Sequence, residues 1–111
     1  MSGNNVHYSF QNSSLNVQPG FTVPTYVNLD MRAYDAYVLI YESDANLEAD
    51  VIWKPNLVST PIKEKTIQFV ASSPQIVTGT TKSLALRVIL RNNDVVPLTS
   101  LSFFIAGIKN A

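Results

Sequence analysis

The stretch YESDANLEADVIW, Tyr41 to Trp53, sets an acidic or amide side chain at every second position: Glu42, Asp44, Asn46, Glu48 and Asp50. Oxygen donors supplied in this way are what a hard cation such as calcium takes from a loop. A helix-loop-helix calcium loop also requires glycine at its sixth position and a carboxylate at its twelfth. Counted from Glu42 those places hold Leu47 and Trp53, and counted from Asp44 they hold Ala49 and Pro55, so neither register works. An irregular cage of Asp44, Asn46 and Glu48 at a loop tip is the cation site these residue types still permit, although the expectation is that no metal is bound.

Other chemistries lack their parts. The chain has no cysteine, which removes disulfides, thiolate metal sites and a cysteine nucleophile. A Ser-His-Asp arrangement would have to recruit the single histidine, His7, and no Gly-x-Ser-x-Gly elbow is present to offer the serine. The four glycines form neither a phosphate-binding loop nor a dinucleotide fingerprint. Glu48 and Asp50 could be read as a glycosidase pair, but nothing around them signals the burial that would raise one pKa. The sequence predicts a protein that is not an enzyme and takes no cofactor.

The elements that must carry these residues are strands. Sustained 3.6-residue periodicity is absent, and β-branched and aromatic runs are broken by Pro, Gly, Asn and Ser about every eight to twelve residues. At 111 residues the chain has room for one domain. The expected fold is an all-β antiparallel β-sandwich, jelly-roll or immunoglobulin-like, of about eight short strands. These fall near Val6–Phe10, Phe21–Met31, Asp35–Glu42, Glu48–Lys54, Thr66–Ala71, Gln75–Thr78, Ser83–Arg91 and Leu101–Ile108. Residues 1–20 read as a polar arm or edge strand, and residues 21–111 as the sandwich. Pro24, Pro55, Pro61, Pro74 and Pro97 belong at strand ends or loops, because proline gives no donor to a ladder. In SLALRVILR the alternation puts Leu84, Leu86, Val88 and Leu90 on the core face and Arg87, Ile89 and Arg91 on the other. LSFFIAGI is apolar on both faces, which suits a central or covered strand.

Around the acidic stretch the pattern predicts a hairpin turning at Ser43–Asn46. Pairing Ile40 with Ala49, Val38 with Val51 and Ala36 with Trp53 makes one face wholly apolar, whereas a one-residue slip would set Asp50 against Ile40 in the core. In that register Tyr37, Leu39 and Tyr41 point outward beside Glu48 and Asp50. Six of the eight acids lie between residues 30 and 50 against Arg32 alone, and seven of the eight cations lie beyond residue 50. Paired on one sheet, these charges would neutralise each other. Set on opposite sides, they would join the acidic Tyr37, Leu39, Tyr41, Glu48 and Asp50 strip of one molecule to the Arg87, Ile89 and Arg91 strip of another.

Zero net charge removes the electrostatic footprint of nucleic-acid binding. No apolar run is long enough to span a bilayer and the amino terminus lacks a signal-peptide pattern, so the sequence predicts a soluble protein whose compartment it does not fix, a virion or an extracellular assembly after release being the place considered. The charged fraction, 14%, is well below the usual quarter or so, which suits a surface held by neighbours. The first reading is a structural subunit that self-assembles as a homo-oligomer or larger array, such as a small virion, fibre or shell component. The alternative is a glycan-binding, lectin-like module in which Tyr37, Tyr41 and Trp53 stack on sugars and Glu48 and Asp50 accept their hydroxyls.

Overall fold

The computed structural model describes residues 7–54 and 60–109. Val6 and Pro55, which the sequence assigned to a strand and a strand end, lie outside them. The eight strands are β1 (His7–Asn12), β2 (Val27–Asp30), β3 (Ala36–Ser43), β4 (Leu47–Lys54), β5 (Ile62–Phe69), β6 (Gln75–Thr80), β7 (Ala85–Asn92) and β8 (Leu101–Ile108). They form two four-stranded sheets in the orders β1-β8-β3-β6 and β2-β7-β4-β5, and every pairing is antiparallel. Among the described residues there is no helix long and apolar enough to cross a membrane.

The couples β1/β8, β2/β7, β3/β6 and β4/β5 are those of one long hairpin, folded at the β4–β5 end and rolled until β3 meets β8 and β4 meets β7. This is the jelly-roll topology. An immunoglobulin sandwich pairs consecutive strands within its sheets, and here only β4 and β5 do so. The described prolines all lie outside the strands.

Facing strands supply the core by alternation. From the first sheet come Tyr37, Leu39, Tyr41, Leu101, Phe103 and Ile105, and from the second Leu47, Ala49, Val51, Trp53, Leu86, Val88 and Leu90, all buried. Tyr41 stacks on Phe69 of the opposite sheet with centroids 4.1 Å apart, and Tyr37 lies tilted against Trp53 at 6.0 Å. The Tyr41 hydroxyl ends in a small polar nest, sharing a hydrogen bond with the Ser43 hydroxyl and donating to the Ala45 carbonyl at 3.2 Å.

The hairpin expected between β3 and β4 does not form. Asp44–Asn46 carries the chain from one sheet to the other, so β3 pairs with β6 and β8 while β4 pairs with β5 and β7. The inward face assigned to β4 is observed, but that of β3 is inverted. Tyr37 sits between Gly79 on β6 and Gly107 on β8, its two cross-strand neighbours. A methyl at Gly79 would fall inside the ring and hydroxyl of Tyr37, and one at Gly107 would lie 2.8 Å from Cγ of Tyr34. The glycines make the space that lets the large rings face the core.

Candidate interaction surface

The oxygen-rich stretch is structural. The Asp44 carboxylate accepts the Thr99 and Ser100 amides, each at 3.0 Å, and the Thr99 hydroxyl. Burial opposes its charge, but these donors outweigh that effect and hold its pKa below the ordinary value. Asn46 accepts the Ala71 amide at 2.7 Å, and its own amide donates to Asp94 at 2.8 Å. Glu48 faces away from both, on the outer side of the second sheet. Asp44, Asn46 and Glu48 therefore form no cage, and among the described residues no three His, Cys, Asp or Glu side chains converge as metal ligands. A cleft of about 630 Å³ is lined by Gln11, Asn12, Glu42, Asp44, Ser72 and Ser102 among others, and its Asp44 carboxylate is already occupied by the loop at Thr99.

The outer face of the second sheet gathers the expected acidic and basic strips into one place. Antiparallel register puts Glu48 opposite Arg91 and Asp50 opposite Ile89. Arg91 binds Glu48 and reaches Asp50 at 3.3 Å, and Lys63 approaches Asp50 at 4.0 Å. Burial works against the Asp50 charge, yet the Thr66 hydroxyl at 2.7 Å together with Arg91 and Lys63 keeps its pKa below the ordinary range. Hydrogen bonds to Glu48 and Asp50 raise that of Arg91 in turn. The reading of two strips of opposite sign meeting between molecules is thus corrected: β4 and β7 are neighbours, so Glu48 and Asp50 pair with Arg91 within one chain, while Arg87 stands farther along the same face opposite Ile52.

Tyr37, Leu39 and Tyr41, expected on the acidic strip, are 0%, 0% and 1% exposed. Burial and the nearby Glu64 push the Tyr37 pKa up to about 12. Trp53 is also buried, and its indole donates to Glu64 at 2.7 Å. The sugar-stacking platform of the alternative reading is therefore inside the core.

What the inversion of β3 turns outward is apolar. Across the outer face of the first sheet, Phe104, Ile40 and Ile76 stand side by side in one row, and Ala106, Val38 and Thr78 in the next. Ile108 and Ala36 extend the patch. Ile40 is 42% exposed and Ile76 70%, and Phe104 is half-buried. His7 borders the patch, its ring stacked on Phe104 at 6.1 Å, and Glu42 lies one row beyond. No charged side chain stands in the two central rows. The pointers to this surface in the sequence were Gly79 and Gly107, since glycine within a strand marks the close approach of a bulky neighbour.

No protein-family model matches the chain, and a search of curated proteins finds no match. Solved structures do share the fold. The Yersinia pseudotuberculosis-derived mitogen is similar over 97% of this chain and 88% of its own, with 12% identity and a TM-score of 0.55. PirA is similar over 96% of this chain and 94% of its own, with 11% identity and a TM-score of 0.51. A chain of the disulfide-linked pili of Bacillus endospore appendages aligns over 96% of this chain and 87% of its own, at 13% identity and a TM-score of 0.49. At identities this low the first two speak for the sandwich architecture alone.

Proposed function

We propose that the protein is a non-enzymatic structural subunit that self-associates through the outer face of its first sheet, as a small virion, fibre or shell component does. One observation carries this reading. The second sheet pairs Glu48 and Asp50 with its own Arg91 and Lys63, whereas the first presents a nearly charge-free face centred on Phe104, Ile40 and Ile76. A second copy of that face brings no like charges together, and it offers a ridge-and-trough match. With a two-fold axis running across the strands between the two rows, Phe104 meets Ala106 of the other copy, Ile40 meets Val38, and Ile76 meets Thr78. Large residues then fill the space over smaller ones, as in sheet-on-sheet packing.

The size is adequate but modest. Four strands about 4.8 Å apart and about six residues long cover roughly 400–500 Å² per copy, so pairing buries ~800–1,000 Å², the small end of specific interfaces. Sedimentation velocity over a concentration series tests the reading. The wild type is expected to associate and Ile40→Asp to weaken that association at least ~100-fold, since it would bury an unpaired carboxylate. Equal sedimentation of the two proteins at every concentration would overturn it.

A further inference from the structure

We infer that β6 pairs edge to edge with β6 of a second copy, continuing the first sheet across two molecules. This deepens the self-assembly reading and rests on it, since a face of that size leaves lasting assembly in need of a second contact.

The four sheet edges differ in how they are guarded. Exposed edges are ordinarily blunted by charge, proline, bulges or shortness, because their free backbone groups template pairing with another chain. On β5 the sequence Lys63–Glu64–Lys65 supplies three charges, and the register breaks so that Glu64 is an extra, bulged residue. β2 has four residues, ending at Asp30 with Arg32 close behind. Beside β1 the chain crosses back toward β2, where the Tyr26 amide meets the Tyr8 hydroxyl at 3.3 Å. Among the described residues β6 has none of these devices. Its six residues, QIVTGT, contain no charge and no proline, and they pair with Tyr41–Ala36 of β3 without a break. Four of the six are β-branched, which favours the extended state. Pro74 and Lys82 stand just outside it and confine the open edge to this segment.

The occupant that fits is the same strand of another copy. Antiparallel pairing about a two-fold axis with Val77 opposite Val77 places Ile76 beside Thr78 and Gln75 beside Gly79, with like faces aligned and no charges opposed. It also makes the apolar outer face continuous, since Ile76 is both the rim of that face and part of the edge. The face axis runs across the strands level with Val77 and the edge axis stands normal to the sheet at Val77, so the two meet at right angles and close a four-copy assembly, whereas either contact alone stops at a dimer.

The test combines sedimentation with amide hydrogen exchange on wild type, Ile40→Asp and Thr78→Lys at low and high protein concentration. The expected result is a wild-type tetramer, an Ile40→Asp protein that stops at dimers, and alternate β6 amides that gain protection on association in both. Thr78→Lys, whose side chain lies on the outer face at the edge and so in both contacts, should remove that gain and leave a monomer while the core amides keep their protection. If the wild type associates but Ile40→Asp is monomeric and β6 never gains protection, the edge contact is overturned and the face contact stands. If the wild type and Ile40→Asp stop at the same dimer and β6 gains protection in both, the edge stands and the face contact falls. A wild type that stays monomeric at every concentration overturns both.

Discussion

Replacing Gly79 by alanine should destabilise the protein even though the side chain gained is one methyl. The new Cβ would overlap Cε1, Cζ and Oη of Tyr37. That ring has nowhere to retreat: it is fully buried, with Trp53 tilted against it at 6.0 Å. Overpacking of this kind costs about 1–3 kcal/mol. With unfolding entropy near 2.1 cal/mol/K per residue, a chain of this length loses ~4 °C of Tm per kcal/mol, so the expected drop is roughly 4–13 °C. Thermal and urea melts of Gly79→Ala, Tyr37→Leu and the double variant measure it. Because the smaller side chain opens the space the methyl needs, the double variant should be more stable than the sum of the single effects by about 1 kcal/mol or more. Tyr37→Phe supplies a control. The Tyr37 hydroxyl is buried without a hydrogen-bond partner, so its loss should leave stability unchanged or raise it. A neutral Gly79→Ala, or strictly additive effects, would refute the claim that the glycine exists to admit the ring.

Asn92 is 1% exposed and its amide donates to the Val17 and Val96 carbonyls at 2.8 and 2.9 Å while accepting the Asp94 amide at 2.9 Å. Asn92→Ala takes this partner from the Val96 carbonyl and the Asp94 amide, while the Val17 carbonyl keeps the Leu98 amide, and should cost about 1–3 kcal/mol in urea unfolding. Ser72 holds a left-handed backbone at φ 59°, so Ser72→Gly should gain about 0.5–1 kcal/mol in the same assay. Asp44 and Asp50 have folded pKa values below the ordinary one, so the stability they contribute is present above about pH 4 and is lost as pH falls through their folded values. Urea midpoints taken downward from neutral pH should therefore drop in acid, and less steeply in Asp50→Asn.

The sequence was most legible where one face of a strand is charged. In β7 the arginines Arg87 and Arg91 mark the outside, and in β4 Glu48 and Asp50 do the same, so both inward faces follow from alternation. β3 offered no such marker. Ala36, Val38 and Ile40 on one side and Tyr37, Leu39 and Tyr41 on the other are both apolar, and a hairpin with β4 was the shortest connection. The jelly roll instead separates β3 and β4 into different sheets, a long-range arrangement that no local pattern records. Only the pair Gly79 and Gly107, flanking Tyr37 from two strands far apart in the chain, encoded the true inward face. The charge asymmetry was visible as well, but whether it pairs within a molecule or between molecules depended on β4 lying beside β7.

Salt dependence of self-association separates an apolar contact from a charged one most directly. Raising salt from about 0.1 to 1 M shortens the Debye length from roughly 10 to 3 Å and strips away attraction between opposite charges, while leaving apolar burial intact. Mass measured by sedimentation equilibrium across that range should show association of the wild type that holds or strengthens. Dissociation at high salt, or a monomer throughout, would contradict assembly through the Phe104, Ile40 and Ile76 face.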